Sequence, residues 1–415
     1  MTDYDCAIIG AGFVGATAAI ALARCGYSVI VIDGRNPLTE VGREDVRGIA
    51  LSASSRRIFS ELDLWGVLAQ RAMPIREIRV SERGSLPSVC LSTSEFGIDA
   101  FAHVVPADYL LRSIENKLLR EVKVAWGSTL ENYSVDGNNV SISLRDKGGQ
   151  SRKYAVSLLI GADGVNSKVR ALAGISSASR SYNQHAVVAT LKVSGIKSDL
   201  AVERFTSSGP LALLPSSEER HVLIRCTRTD QLHDTMALSD AEFLKDTLSR
   251  FARPLGEMSE LGTRRAHPLM LSQSEAIIAE RVALLGAAAV TVHPNAAQGL
   301  NLGLRDVVDL CECIANISAR SASTPLTDSR SLQAQLDNFA RKRTRDHKRI
   351  VRLTDGLARG FTSTVPGVDL VRSLGLLAAK LSPGLRREII LHGMGEGRVN
   401  KFPFPSSKPD VRLSK

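Results

Sequence analysis

The sequence predicts an α/β (α+β) fold in which a Rossmann-like domain is interleaved with an antiparallel-sheet domain and followed by C-terminal helices. Three observations carry this prediction. The N-terminal stretch alternates an apolar strand, a glycine-rich turn, an alanine-rich helix and a second strand. From Tyr182 to His267, apolar and polar residues alternate as in a sheet with one apolar face. The segment from Leu284 to Asp306 joins a buried strand to a helix through a turn that contains His293 and Pro294.

Length and composition are those of a soluble globular protein with two or three domains. The chain has 415 residues and no run of about 18 apolar residues that would span a bilayer. The first residues, MTDYD, lead into an apolar strand without a basic segment before it, so we expect no secretory signal and a cytoplasmic location. The six cysteines form no Cys-x-x-Cys pair and no cluster with histidine, which favours reduced thiols over a metal or redox site.

The excess positive charge lies at the C-terminal end of the chain. Residues 341–415 hold 17 lysines and arginines against 6 acidic residues, a net of +11, whereas the first 340 residues hold 36 against 37, a net of −1. This split favours a polyanionic surface as the partner of the segment. Aromatic residues are not interleaved with the charges, so we expect the inner face of the cytoplasmic membrane and no nucleic acid. A solvated charge run without a partner is the alternative.

The glycines near the N-terminus predict a dinucleotide site. Gly10, Gly12 and Gly15 follow the first strand in a GxGxxG pattern. The first permits a tight turn, the second a close approach of a pyrophosphate, and the third close packing of helix on strand. Asp33 ends the second strand, where an acid can receive the hydroxyls of an adenosine ribose. A GxGxxG run alone can be a structural turn, but this one lies between two strands with its acid in place.

Two further stretches predict turns that face a ligand. Residues 158–170, LLIGADGVNSKVR, run from an apolar strand through Asp163 into a helix start that Ser167 can cap. In residues 284–306, LLGAAAVTVHPNAAQGLNLGLRD, Gly299 lies where a helix begins. There the backbone can approach a ligand closely, and the free N–H groups carry partial positive charge. We expect a planar, anionic or carbonyl-bearing group, with an ordinary strand, turn and helix as the alternative.

These stretches resemble motifs of the class A flavoprotein aromatic hydroxylases, most closely the branch that hydroxylates ubiquinone precursors. HPNAAQGLNLGLRD is similar to HPxxGQGxNxGxxD of that family, GADGVNSKVR to GADGxxSxVR, and RGIAL at residues 47–51 to RxxAL. ERFT at residues 203–206 and GPLALLP at residues 209–215 are similar to the segment that covers the substrate pocket in the family. The sequence departs from the pattern at Ala287, where most members have an aspartate that holds the ribityl chain, and at Ala297, where the pattern has glycine.

The resemblance implies FAD as the cofactor and NADH or NADPH as co-substrate. In the family, backbone amides of the QGxN turn face the flavin pyrimidine, and the chain around Pro294 flanks the ring. Arg47 would reach the flavin or its pyrophosphate, with a solvated arginine as the alternative, and Asp163 would lie near the pyrophosphate. The expected cofactor-binding residues are Gly10, Gly12, Gly15, Asp33, Arg47, Asp163, Gly286, Ala287, Pro294, Gly299, Leu300 and Asn301. The nearest candidate for a catalytic acid or base is His293, for which a structural role in its turn is the favoured alternative.

The implied reaction is hydroxylation of a polyprenylated phenol in ubiquinone biosynthesis. In the family, NAD(P)H reduces the flavin, O₂ adds at its C4a position, and the distal oxygen of that hydroperoxide attacks the electron-rich ring. Two alternatives stay open: a non-catalytic flavoprotein-like subunit that acts with other ubiquinone-biosynthesis proteins, motivated by Ala287, and a prenyl reductase on the same scaffold. We expect the FAD-binding domain in residues 1–75, 101–178 and 269–340, the substrate domain in residues 76–100 and 179–268, and a basic helical segment in residues 341–415.

Overall fold

The computed structural model describes residues 2–37, 45–82, 88–217, 219–251, 255–320, 326, 328–362 and 384. The strands are, in chain order, β1 Tyr4–Ile9, β2 Val29–Asp33, β3 Gly48–Ser52, β4 Met73–Ile75, β5 Glu77–Glu82, β6 Val89–Ser92, β7 Ala102–Pro106, β8 Lys123–Trp126, β9 Ser128–Asp136, β10 Asn139–Asp146, β11 Ser151–Gly161, β12 Ser177–Ser194, β13 Leu200–Thr206, β14 Gly209–Pro215, β15 Arg220–Arg228, β16 Glu257–Ser259, β17 Arg265–Ser274, β18 Ile278–Ala279, β19 Val282–Leu284 and β20 Val290–Thr291. The helices are α1 Phe13–Arg24, α2 Ala53–Glu61, α3 Trp65–Leu68, α4 Ala107–Glu121, α5 Lys168–Leu172, α6 Leu232–Ala237, α7 Asp240–Arg250, α8 Gln298–Arg320 and α9 Ser329–Thr362.

The first sheet carries the predicted Rossmann-like unit. Its strands lie in the order β18-β19-β11-β1-β2-β8, and β9 and β10 extend it from β11. The pairs β1–β2, β1–β11, β2–β8 and β11–β19 are parallel. Cys6–Ile9 and Val29–Ile32 are buried throughout, as expected of parallel strands covered on both faces. Helices α1, α4 and α8 supply the apolar cover, so this sheet holds the main core.

The second sheet is built from other stretches of the chain and confirms the predicted interleaving. Its order is β20-β17-β12-β15-β14-β13-β5-β6, with β16 on β12, and a small sheet β3-β7-β4 stands apart from it. The strands from β12 to β17 pair antiparallel as predicted, but β5 runs parallel to β13. No hairpin joins β5 to β13, because more than a hundred residues separate them, so their direction is not fixed by a turn.

The two faces of this second sheet have different neighbours. Val202, Leu213 and Leu223 lie on the outer face and pack with Phe243 of α7. Residues that alternate with them lie on what we call the inner face, which points toward the first sheet. There Ala201 belongs to the same apolar cluster as residues of β3 and β7. The inner face is therefore the one from which the sheet can cover a ligand bound to the first sheet.

Helix α9 runs across the expected start of the basic segment. The boundary at residue 340 lies inside this continuous helix, and the boundaries at 178 and 268 lie inside β12 and β17. The charges of residues 341–352 do not all face solvent, since Arg343 and His347 are buried against Asp306 of α8. A count of charges cannot reveal that pairing. Most of the predicted basic segment after residue 362 lies outside the described residues. Among the described helices, none has the length and apolar content needed to cross a bilayer.

Candidate cofactor site

A cleft of about 470 Å³ opens at the carboxyl ends of β1, β2 and β11. β1 lies between the other two strands. The strand order runs from β1 to β2 and β8 on one side and from β11 to β19 on the other, so it reverses at this point. Such a point is where doubly wound folds bind their ligands. Gly10, Gly12, Asp33 and Asp163 all line the cleft. The structure thus brings together predicted cofactor residues from three separate stretches of the chain.

The glycines of the turn at the cleft are needed for two different steric reasons. Gly10 has a φ of +101°, and a Cβ there would lie 2.5 Å from the carbonyl oxygen of Ala162. At Gly15 a Cβ would lie 1.9 Å from the carbonyl oxygen of Gly10. At Gly12 it would meet nothing within 4 Å. The protein's own backbone therefore excludes side chains at Gly10 and Gly15, whereas a side chain at Gly12 would fill room that a ligand needs.

Asp33 fixes this turn as well as facing the cleft. Its Oδ2 accepts a hydrogen bond of 2.7 Å from the backbone N–H of Ala11. Its Oδ1 accepts one of the same length from the backbone N–H of Arg35. The guanidinium of Arg35 donates two longer hydrogen bonds to the same carboxylate, from Nε to Oδ1 at 3.3 Å and from Nη2 to Oδ2 at 3.4 Å, which ribose hydroxyls could replace. The predicted ribose contact is thus compatible with the geometry and stays a prediction.

Asp163 offers the cleft an acceptor that the protein does not use. Its Oδ2 accepts hydrogen bonds from the backbone N–H groups of Lys168 at 2.7 Å and Val169 at 3.1 Å, at the start of α5. The predicted cap by Ser167 is confirmed, because its Oγ accepts a hydrogen bond from the N–H of Arg170 at 3.0 Å. Oδ1 of Asp163 is buried and has no hydrogen-bond partner within the described part of the chain. A buried acceptor that lines a cleft calls for a donor on the ligand, and the hydroxyl groups of FAD fit it.

The start of α8 is joined to the glycine turn through one residue of α1. Val14 lies so close to Gly286 and Gly303 that a Cβ at either glycine would come within 3.0 Å of its side chain. Gly286 has a φ of +58° and begins the 3-10 turn Gly286–Ala288. Ala287, in this turn, is exposed. The predicted ribityl-facing position therefore lies beside the start of α1, on the same side of the first sheet as α8.

The first turn of α8 presents backbone rather than side chains. Gly299 is exposed, and a Cβ there would meet nothing within 4 Å, so the space beside it is open. Leu300 is half-buried against the core. Asn301 is buried: its Oδ1 accepts hydrogen bonds from the N–H of Ser52 at 2.9 Å and the Oγ of Ser55 at 2.7 Å. The side chain of Asn301 is thus occupied inside the protein, so the predicted contact of this residue with a flavin would have to come from its backbone and stays a prediction.

Ala297 explains why the family pattern has glycine before the glutamine. It adopts a φ of +50°, in the left-handed region that costs an L-residue with a Cβ about 1 kcal/mol or more. Its methyl group packs with the inner-face cluster that includes Ala201 and Leu214. The turn therefore keeps its left-handed geometry without glycine, because the surrounding contacts hold it.

Asp306 is a functional residue to which the sequence assigned no role. It is fully buried and accepts hydrogen bonds from the backbone N–H of Gly286 at 2.9 Å, from Nε of Arg343 at 2.7 Å and from the ring of His347 at 2.8 Å. Burial alone would raise its pKa, but the charges of His347 and Arg343 outweigh burial and lower it to about 2. Asp306 thus holds the turn at Gly286 from behind. The family pattern that resembles residues 293–306 ends on this aspartate, which was the available sign of its role.

His293 is placed as a turn residue. Its Nδ1 accepts a hydrogen bond from the N–H of Asn295 at 3.2 Å, and its ring stands edge-on to Tyr182 with the centroids 4.9 Å apart. Burial lowers its pKa to about 4, so the ring is neutral at pH 7. This arrangement supports the structural alternative over acid–base work. Pro294 beside it is exposed.

Arg47 is not among the residues that line the cleft. Its guanidinium forms a two-pronged pair with Asp45, with Nε–Oδ1 at 2.8 Å and Nη2–Oδ2 at 2.5 Å. The side chain of Arg47 is 45% exposed. A contact between Arg47 and the flavin would require this pair to open, and it stays a prediction.

Comparisons with known proteins extend over nearly the whole chain. The sequence profile of the family described as FAD binding domain matches residues 3–341. Ubiquinone hydroxylase UbiL of Rhodospirillum rubrum is 32% identical over 412 residues, covering 96% of this chain and 91% of its own length. 3-Demethoxyubiquinol 3-hydroxylase of Escherichia coli K12 is 29% identical over 406 residues, with 94% and 98% covered. The crystal structure of p-nitrophenol 4-monooxygenase PnpA of Pseudomonas putida superposes with a TM-score of 0.75 at 17% identity, covers 95% and 99%, and supports the fold.

Proposed function

Because the chain belongs to the FAD binding domain family of monooxygenases, we propose that it hydroxylates the aromatic ring of a polyprenylated phenol in ubiquinone biosynthesis. Its cofactor is FAD, and the electron donor in this proposal is NADH or NADPH. Bound FAD would accept those electrons and activate O₂ for transfer to the ring. Membership of a family of FAD-dependent monooxygenases sets aside the alternative of a non-catalytic subunit.

The residues of the site would divide the work between binding and charge stabilisation. Gly12 leaves room for the pyrophosphate at the start of α1, and Oδ1 of Asp163 accepts a cofactor hydroxyl. The N–H groups of Gly299, Leu300 and Asn301, in the first turn of α8, face the flavin edge where negative charge gathers on reduction. The protein's part is thus to orient the ring, exclude water and hold charge with a rigid helix start.

The observation that carries the choice of substrate is an apolar sheet face placed over the start of α8. Ala201 and Leu214 of the inner face share one apolar cluster with Ala297, the residue before α8 begins. Ile224 and Cys226 continue this apolar face on the neighbouring strand β15. A ring bound between sheet and helix start would lie on carbon-rich surface. That environment suits a prenylated phenol better than a charged acid.

Product mass under O₂ tests the proposal. Protein loaded with FAD is given NADH or NADPH and a 2-prenyl-6-methoxyphenol with a short chain, and the product is analysed by mass spectrometry. We expect a gain of one oxygen atom, which is lost when O₂ is removed as a control. A gain of hydrogens without oxygen would favour the prenyl reductase instead. Flavin that is reduced but never transfers oxygen to any phenol would refute the proposal.

We further propose that a basic face of α9 brings the enzyme to an anionic membrane, where a prenylated substrate resides. Arg341, Arg345, Lys348 and Arg352 are exposed at i, i+4, i+7 and i+11 and so share one side of the helix. Leu353 beside them is 45% exposed. Each basic residue near an anionic leaflet contributes about 1 kcal/mol. Such a face would hold the protein reversibly on the bilayer surface.

Vesicle flotation tests this localisation with paired variants. Truncation before residue 341 is unsuitable, because it would cut α9 and remove the partners of Asp306. We suggest Arg345→Glu with Lys348→Glu, against the control Arg152→Glu with Lys153→Glu in an exposed part of β11. Binding to anionic vesicles should fall at least about 30-fold in the α9 variant, since two favourable charges become unfavourable. Equal binding by the two variants, or equal binding to neutral vesicles, would remove α9 from the mechanism.

A further inference from the structure

Glu203 is a carboxyl group placed in the middle of the inner face. It lies on β13 between Val80 of β5 on one side and Ala212 of β14 on the other. Val202 before it points to the outer face, where it packs in the cluster under α7. Because successive side chains of a strand point to opposite faces, Glu203 shares the inner face with Ala201. Its neighbours in the sheet are apolar.

The position of Glu203 relative to α8 follows from the strand register. Ala201 and Leu214 pack with Ala297, immediately before α8. Glu203 follows Ala201 by two residues on the same face, a step of about 7 Å along the strand. Its carboxyl group therefore projects from the inner face one step along the strand from the residues that pack with Ala297. This is the space in which the aromatic ring is proposed to bind.

The carboxyl group of Glu203 has no hydrogen bond or ion pair with any residue in the described part of the chain. The residue is partly accessible although paired strands flank it and α9 contacts both β13 and β14. Because Glu203 lies on the inner face, that accessible surface is between the sheet and the elements that cover it. Burial raises the pKa of Glu203 to about 7, with no charged neighbour among the causes. A carboxyl kept in such a place without a partner is costly unless a ligand supplies a donor.

We propose that Glu203 is a catalytic residue whose carboxylate accepts the hydroxyl proton of the bound phenol. The phenolic O–H bond breaks, the proton passes to a carboxylate oxygen, and the electron pair stays on the phenol oxygen, where it enriches the ring for attack on oxygen. The attacked ring carbon then releases its own proton to solvent, the electron pair of that C–H bond restores the aromatic ring, and Glu203 returns the first proton to the phenol oxygen, so that the residue undergoes no net change. This inference rests on the hydroxylase function proposed above and names the group that activates its substrate.

Other titratable groups near the inner face are poorly suited to this step. The hydroxyl of Tyr182 donates to Asp355 at 3.0 Å, and burial with that neighbouring charge raises its pKa to about 12. His293 already uses Nδ1 to accept a hydrogen bond in its own turn. Burial, with a smaller contribution from Glu203, raises the pKa of the Cys226 thiol to about 12. A base that works near neutral pH is most effective when its pKa is close to 7, which leaves Glu203.

The test compares Glu203→Gln with the control Glu257→Gln, an exposed glutamate on β16 of the same sheet. FAD content and flavin reduction by NAD(P)H are measured first, and then hydroxylation of a short-chain 2-prenyl-6-methoxyphenol. We expect Glu203→Gln to hold FAD and lower kcat by about 100-fold or more, as for loss of a general base, while the control matches the wild type. With a ring-fluorinated phenol, the loss of kcat in Glu203→Gln should be at least tenfold smaller, because this phenol is more acidic and needs the base less.

The remaining outcomes distinguish a failure of the Glu203 assignment from a failure of the proposed function. Wild-type turnover by Glu203→Gln, or an equal loss with the parent and the fluorinated phenol, would overturn the assignment of Glu203. If Glu203→Gln releases FAD, Glu203→Asp decides: a carboxylate variant that keeps FAD and hydroxylates at least tenfold faster than Gln supports the base, and one that also releases FAD overturns it. A wild-type protein that hydroxylates no phenol would instead refute the proposed function.

Discussion

The two helices that begin at the candidate cofactor site are held in opposite ways. At α1 the backbone itself excludes side chains, since a Cβ at Gly10 or Gly15 would collide with carbonyl oxygens. At α8 the first turn is held by side chains that reach distant elements, namely the amide of Asn301 and the carboxylate of Asp306. Ala297 stands there in a conformation that glycine would adopt without strain. At the start of α1 the glycines leave room for neighbouring backbone, including that of Ala162, whereas the start of α8 depends on side-chain hydrogen bonds that form in the assembled fold.

The variant with the largest expected effect on stability removes the negative charge of Asp306, which lies behind the first turn of α8. Asp306→Asn would remove the buried counter-charge of His347 and one of the carboxylates that pair with Arg343, which keeps Asp309 and Asp346, so we expect the free energy of unfolding to fall by about 3 kcal/mol. The measurement is denaturant unfolding of FAD-free protein at pH 7. Glu312→Gln, which removes the half-exposed partner of Lys342, is the control and should cost less than about 1 kcal/mol. Similar losses in both variants would mean that the buried pair does not support the turn.

Two glycine variants separate folding from binding at α1. Gly15→Ala places a Cβ 1.9 Å from the carbonyl oxygen of Gly10, so we expect a loss of about 3 kcal/mol in the stability of the FAD-free protein. Gly12→Ala meets no atom within 4 Å and should change that stability by less than about 0.5 kcal/mol, yet it should weaken FAD. The measurements are denaturant unfolding and fluorescence titration with FAD. Unchanged FAD affinity in Gly12→Ala would place the pyrophosphate elsewhere.

The chain that leads into α8 includes a buried histidine whose pKa is lowered by burial. His293 has a folded-state pKa of about 4 against 6.5 in the unfolded chain, so the unfolded state binds more protons between these values. Stability should therefore be lost as pH falls from about 6.5 to 4, by about 2 to 3 kcal/mol for this residue. Unfolding of His293→Gln should show a flatter pH dependence than wild type. His233→Gln, whose side chain is 95% exposed, should keep the wild-type slope.

Ala287→Asp would restore the acid that the family pattern has beside α8. If residue 287 faces the ribityl chain, a carboxylate there accepts a charge-assisted hydrogen bond worth about 1.5 to 3 kcal/mol, and FAD should bind about 10- to 100-fold more tightly. Equilibrium titration of FAD measures the change. Ala288→Asp is unsuitable as a control because Ala288 is buried, so Ala69→Asp on an exposed turn is preferable. Unchanged or weaker FAD binding in Ala287→Asp would show that the position does not face the cofactor.

The smallest expected effect is a gain. Ala297→Gly would relieve the left-handed strain and raise stability by about 0.5 kcal/mol, a net value because the methyl contact and the lower entropy of alanine are lost. Ala69→Gly is the matched control, since Ala69 is exposed with a φ of −59°, and it should lower stability slightly. Thermal unfolding of both variants measures whether each change raises or lowers stability. A loss in both would mean that contacts at Ala297 outweigh its strain.

What the sequence could predict follows the same division. The cleft at Gly10, Gly12 and Asp33 was predictable because the rules for a glycine turn act on neighbouring residues. The bond between Asn301 and Ser52 joins positions far apart in the chain, and no local pattern contains it. The missing partner of Glu203 becomes visible only when its neighbouring strands are assembled. For these residues, a short motif gives the position but not the contacts.

The interleaving of the two sheets also constrains the order in which the chain can fold. β1 pairs with β11, β11 pairs with β19, and β5 pairs with β13. Each of these pairings closes a loop of more than a hundred residues, and such long-range closure slows folding. During synthesis, the edge of β1 that pairs with β11 and the edge of β5 that pairs with β13 therefore stay unpaired until much of the chain has left the ribosome. Nascent chains of this topology would need protection from aggregation for longer than chains whose domains are continuous in sequence.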